Sequence, residues 1–209
     1  MEELIYPSIQ YQTWLDYVRT HVPDTFPGMH DLLHRFRAAG GHICVVSHSV
    51  PENILRDYRA HDLPTPELIY GWDPDPERRK PAPWPIYQIE RELGLRPEQL
   101  VVIDDLKPGK DMADRAGVDF IAAGWTHTVP HIIETMQRIC PHYCRTVAEL
   151  TALLLDETEA KRWIKSFARR PSPISTPWRR WRRRAFPKRR PRRGQSYLTG
   201  WRITAATSG

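Results

Sequence analysis

Three short apolar runs constrain this chain more than any other feature: Ile43-Cys44-Val45-Val46, Leu68 to Trp72, and Leu100-Val101-Val102-Ile103. Each breaks off into polar residues and is followed by a segment with helical spacing. Runs this continuous suit strands covered on both faces. Strands alternating with helices every 20 to 30 residues or so indicate a parallel sheet with right-handed crossovers. The expected fold class is therefore α/β, a Rossmann-like parallel sheet with flanking helices.

The remaining elements fit that frame. Trp14, Leu15 and Val18 give helical spacing from Thr13 to His21, and Leu32, Leu33 and Phe36 give it from Met29 to Ala39, stopped by Gly40-Gly41. Pro51 opens a helix to about Ala60, proline being tolerated in a first turn. A proline-rich loop from Asp73 to Pro85 leads to a helix from Ile86 to Leu93, and a helix from Lys110 to Ala116 precedes a strand at Val118 to Ala123. Pro130 to Arg138 and Val147 to Leu155 read as helices, with an extended piece near His142 to Arg145.

The third apolar run ends in Asp104-Asp105. Adjacent acids at that point either cap the next helix or, because they repel each other, share a hard cation such as Mg²⁺. In open α/β sheets ligands gather beyond the carboxyl ends of the strands. One sheet edge would then collect Ser47 from the first run, Lys80 from the loop after the second, and Asp104 and Asp105 from the third. A hydroxyl, a fixed ammonium and a metal-binding acid pair are what a phosphoryl group needs, since its transfer depends on positioning and charge stabilisation. The helix opening near Pro51 adds free backbone N–H groups at the same edge.

These residues, in this order, resemble the haloacid dehalogenase superfamily, most closely its capped phosphatases. Ile43-Cys44-Val45-Val46-Ser47 is similar to the motif whose Ser or Thr binds the phosphoryl oxygen. Lys80-Pro81-Ala82-Pro83 resembles the lysine motif, and Ile103-Asp104-Asp105 with Gly109, Ala113, Ala116 and Gly117 resembles the acidic metal motif. Phe26-Pro27-Gly28-Met29 looks like the way out of a helical cap.

The resemblance implies a Mg²⁺-dependent hydrolase acting on a small phosphorylated metabolite. Ser47 and Lys80 would be catalytic and substrate-binding, His48 would lie beside the phosphate, and Asp104 and Asp105 would hold the metal. It also implies an Asp-x-Asp-x-Thr/Val nucleophile motif on the first strand. Met1 to Gln12 contains no Asp, and Asp16 falls inside an amphipathic helix. The reading is therefore of a core truncated before its nucleophile strand and inactive as it stands, with neighbouring strands left with unpaired backbone along a buried edge. A noncatalytic phosphate-binding or regulatory remnant is the alternative. Three regions are expected: a cap remnant over 1–25, the core over 26–158, and a disordered tail over 159–209.

Two other clusters offer chemistry and are set aside. Asp73-Pro74-Asp75-Pro76 has the Asp-x-Asp spacing but runs straight into Lys80, and acids flanked by proline are usually turn formers. His127, His131, Cys140, His142 and Cys144 match no common zinc module, so scattered side chains are the preferred reading. Three cysteines are an odd number for a disulfide framework, and a reducing cytoplasm is the default expectation. With no run of some 20 apolar residues and no basic leader before Tyr6, neither a transmembrane segment nor a signal peptide is expected.

Charge divides the chain sharply. Residues 1 to 160 carry 15 Lys+Arg against all 25 Asp+Glu, a net of −10, while residues 161 to 209 carry the other 16 Lys+Arg and no acid. An Arg, Pro, Ser and Trp segment without an apolar face repels itself and is expected to be disordered. It could bind nucleic acid nonspecifically, through charge and stacking indoles, or lie on an anionic membrane surface. It also resembles out-of-frame translation, and together with the missing first motif it raises the expectation of a misassigned start.

Overall fold

The computed structural model describes residues 9–156 and 202–205. Seven helices and six strands alternate along them: α1 Ile9–Thr20, α2 Met29–Ala38, β1 Ile43–Val46, α3 Pro51–Ala60, β2 Leu68–Tyr70, α4 Trp84–Leu93, β3 Leu100–Asp104, α5 Lys107–Ala116, β4 Asp119–Ala123, α6 Pro130–Ile139, β5 Tyr143–Cys144, α7 Val147–Leu155 and β6 Arg202–Ala205. The strands form one sheet in the order β2-β1-β6-β3-β4-β5, with every pairing parallel.

Alternation along each strand divides the core into two layers. Ile43, Val45, Val101, Ile103, Ile121 and Ala123 face α2, α3 and α7, meeting Leu32, Phe36, Ile54 and Leu150. Cys44, Val46, Leu100, Val102, Phe120 and Ala122 face the other way, onto Ile86, Ile89, Met112 and Met136 of α4, α5 and α6. The sheet is thus covered on both sides, which is why its strands read as unbroken apolar runs. The α2–β1 turn needs its two glycines for different reasons. Gly40 has φ +84°, and a Cβ on Gly41 would lie 2.0 Å from the Phe36 ring.

Several boundaries depart from the sequence expectation by a turn, each for a local reason. Helix α5 begins at Lys107 because Pro108 is accommodated in its first turn, and α4 begins at Trp84 because Pro85 is. Strand β2 stops at Tyr70, since the Trp72 N–H leaves the ladder to donate to Ser49 O at 2.9 Å. Arg56 of α3 holds the end of α1, donating from Nη1 to Val18 O (2.8 Å) and Arg19 O (2.6 Å) and from Nη2 to His21 O (3.1 Å). Those are carbonyls that a helix C-terminus leaves unpaired.

One addition comes from the basic tail. Residues 157–201 and 206–209 lie outside the described residues, and within that tail Arg202–Ala205 form β6, in the middle of the sheet. Ile203 pairs with Ile43 on one side and with Val101 on the other, and Thr204 with Cys44 and Val102. The expected unpaired edge between β1 and β3 is therefore filled. The physical reason lies in the gap itself. Buried N–H and C=O groups on two facing strands require partners, and a short acid-free stretch containing Ile and Thr supplies them. Among the described residues no helix is long and apolar enough to cross a membrane.

Candidate active site

Because the strands are parallel, the loops after β1, β2, β3 and β4 all leave from one edge. Ser47, 2% exposed, follows β1 directly; its N–H donates to Tyr70 O (2.9 Å) and its Oγ accepts from the Ser49 N–H (3.0 Å). That turn delivers His48, whose Nε2 donates to the Lys80 carbonyl at 3.1 Å. The loop of Ser47 is thereby tied to the lysine loop. Trp72 completes the support, with the His48 ring against its edge at 6.3 Å and the Arg79 guanidinium over its face at 4.0 Å.

Lys80 is buried, and its Nζ donates to Asp104 Oδ2 at 2.7 Å. The second Asp104 oxygen accepts the Leu106 N–H at 3.0 Å, fixing the carboxylate as α5 begins. Burial raises the Asp104 carboxyl above its ordinary value, aided by the neighbouring Asp105 charge, while Lys80 and the Leu106 N–H pull it down. Gly109 is required beside it: a Cβ there would lie 2.3 Å from the Asp104 carboxylate. A glycine in the first turns of α5 is thus explained by close approach rather than by backbone flexibility.

Asp105, 6% exposed, points toward the loop after β4. Thr126 Oγ1 donates to Asp105 Oδ2 at 3.1 Å, and His127 Nε2 lies 2.8 Å from the same oxygen, a close contact without the alignment of a hydrogen bond. Two adjacent buried carboxylates at a strand end are hard oxygen donors, a set that fits Mg²⁺.

The structure therefore joins Ser47, His48, Lys80, Asp104 and Asp105 through contacts linking three strand ends. His127 and Thr126 were missed by the sequence reading, which grouped His127 with unrelated cysteines and histidines. The signal was available: they follow a fourth strand, and the rule that placed the other three sets them on the same edge. Asp73 and Asp75 are turn formers. Asp73 Oδ1 accepts the Asp75 N–H (2.8 Å), and Asp75 Oδ1 accepts the Glu77 N–H (3.0 Å) at the start of a single 3₁₀ turn, Pro76–Arg78. The central strand, Arg202-Ile203-Thr204-Ala205, carries no carboxylate.

A family model described as haloacid dehalogenase-like hydrolase matches residues 5–123. Among solved structures, the fold is similar to a protein from Lactobacillus delbrueckii subsp. bulgaricus assigned as a phosphoglycolate phosphatase, with TM-score 0.56 and 22% identity over 70% of this chain and 60% of that one. It is also similar to a phosphonoacetaldehyde hydrolase-like protein from Oleispira antarctica, with TM-score 0.54 and 16% identity over 72% of this chain and 60% of that one. The chain thus spans about 60% of the length of each. No curated protein matches it.

Proposed function

The chain belongs to the haloacid dehalogenase-like hydrolase family, and from that premise we propose that its strand-end site binds the phosphate of a small phosphorylated metabolite together with Mg²⁺, in a polypeptide that does not turn such esters over by itself. The observation that carries this reading is the buried Lys80–Asp104 pair, at 2.7 Å, with Ser47 and Asp105 at the same edge. A buried ion pair is a poor device for stability alone, because desolvation offsets most of its attraction. At a site it is well suited to an anion and a cation arriving together.

In this reading the Ser47 hydroxyl and its turn orient a phosphate oxygen, and the Lys80 ammonium balances the incoming charge. Asp104 and Asp105 would hold Mg²⁺, which when bound supplies charge neutralisation for the phosphoryl oxygens. His48 positions Lys80 through the Lys80 carbonyl rather than by touching phosphate with its ring, and His127 and Thr126 orient Asp105. Among the described residues the strand between Ser47 and Asp104 is Arg202–Ala205, which offers no carboxylate to attack phosphorus. The two solved relatives are named for phosphate and phosphonate substrates, which supports a substrate of that class.

The test has two arms. Calorimetry with inorganic phosphate should show binding that requires Mg²⁺ and weakens about tenfold or more in Ser47→Ala and Asp105→Asn. Binding that is indifferent to both changes would refute the site. In the second arm p-nitrophenyl phosphate and Mg²⁺ are given to the full chain. Turnover abolished by Asp105→Asn would overturn the proposed inactivity and leave the site assignment standing.

A further inference from the structure

Helix α2 carries His30 and His34 one turn apart, so both imidazoles occupy its outward face. Their ring centroids are 4.3 Å apart. The turn after α3 brings Asp62 against them, with a carboxylate oxygen 3.9 Å from His30 Nε2. One donor atom from each of the three lies within 4.8 Å of the others. We propose that His30, His34 and Asp62 form a binding site for a zinc-class transition-metal ion, distinct from the Asp104-Asp105 site.

Three features support this beyond proximity. The first is position: α3 starts at the Ser47 edge and returns to the opposite edge before β2, so Asp62 stands across the sheet from Asp104. The second is how the turn is held. Asp62 has φ +50°, an uncommon conformation for a residue with a side chain, and its N–H donates to Arg59 O at 3.2 Å. His34 Nε2 lies 2.7 Å from the Asp62 carbonyl oxygen. With its proton on Nε2 donated to that carbonyl, His34 keeps the Nδ1 lone pair for a metal, the orientation that ligating histidines commonly use. The third is donor chemistry: two imidazoles and one carboxylate suit Zn²⁺ or its neighbours rather than Mg²⁺.

Zinc–nitrogen bonds of about 2.0–2.1 Å require the donors to close by roughly 1 Å. All three residues are exposed, so their side chains have room for that adjustment. Solvent would fill the fourth position. Bound metal would clamp α2 to the α3–β2 turn and stabilise the native state by mass action.

Titration of the tag-free full chain with ZnCl₂ tests the site. One ion per chain is expected, with affinity falling about tenfold or more in His30→Ala or His34→Ala and less in Asp62→Asn. It should be unchanged in Asp105→Asn. Zinc should raise the melting temperature of the parent chain and not that of the doubly substituted H30A/H34A chain. Absence of binding, or binding that survives the double substitution or is lost in Asp105→Asn, overturns the proposal. So does a thiolate charge-transfer band with Co²⁺, which would move the metal to the cysteines.

Discussion

Strands β3 and β6 lie side by side in the same sheet and were specified in opposite ways. Much of what gives β3 its role is announced nearby: an apolar run, two acids, a glycine where α5 must pass the Asp104 carboxylate, and a glycine at the end of that helix. Strand β6 has four residues at the far end of a basic, proline-rich stretch, and its partners Ile43 and Leu100 are remote in sequence. Local chemistry can be read from local sequence. A strand that is defined by the vacancy it fills cannot, because the vacancy is written elsewhere.

The strongest challenge to that contrast falls on the site side. Lys80→Met removes the partner of a buried carboxylate, and its expected cost is about 3–5 kcal/mol, measured by urea denaturation. A loss below about 1 kcal/mol would mean that Asp104 has other support. Thr204→Pro tests the opposite side. Its N–H points into a ladder on one flank or the other, so proline leaves a buried carbonyl unpaired at a cost of roughly 2–4 kcal/mol. An unchanged melting curve would remove β6 from the sheet. Next comes Gly109→Ala, which forces the Asp104 carboxylate aside and should cost about 1–3 kcal/mol while weakening Mg²⁺ binding.

The cysteines provide a subtler discrimination. Burial pushes the Cys44 thiol up to about 12, with Glu67 adding to the rise, and raises Cys144 to about 12 and Cys140 to about 11. Tyr58 is likewise raised by burial to about 12. These groups ionise more readily once unfolded, so the stability they contribute is intact below their ordinary values. It declines as pH rises from the ordinary thiol value of 9.0 toward 12, which a pH series of melting temperatures will display. At neutral pH the native chain should resist iodoacetamide. In Thr204→Pro, alkylation should accelerate at Cys44, which is in register with Thr204, before Cys144 at the far edge of the sheet. Equal acceleration would indicate global rather than local opening. The smallest effect is expected from Arg56→Ala, about 0.5–1.5 kcal/mol from the carbonyls it leaves behind on α1.

Most of the fold was legible for the same reason as β3. The runs at Ile43 and Leu100, the amphipathic face of Leu32, Leu33 and Phe36, and the glycine stops all act within a few residues of where they are written. Ser47, Lys80, Asp104 and Asp105 were legible because parallel topology converts strand order into proximity. His127 was not, since it looked like one member of a Cys/His group until β4 placed it beside Asp105. The support that His48 gives to Lys80 was also hidden: a ring reaching a backbone carbonyl in another loop leaves no trace in spacing. Asp62 belongs to this second kind, its meeting with His30 and His34 being fixed only by the path of α3.

The place of β6 also bears on when the molecule can be completed. A ribosome releases Ile43 to Val46 and Leu100 to Asp104 long before it reaches Arg202, so the middle strand of the sheet is synthesised after both of its partners. Until then β2-β1 and β3-β4-β5 are two separate ribbons, each with an open inner margin. Contacts closed over so long a stretch of chain are slow to form, and exposed margins invite wrong partners in the interval. Nascent chains stalled before residue 202 should therefore hold chaperones longer than chains extended past Ala205.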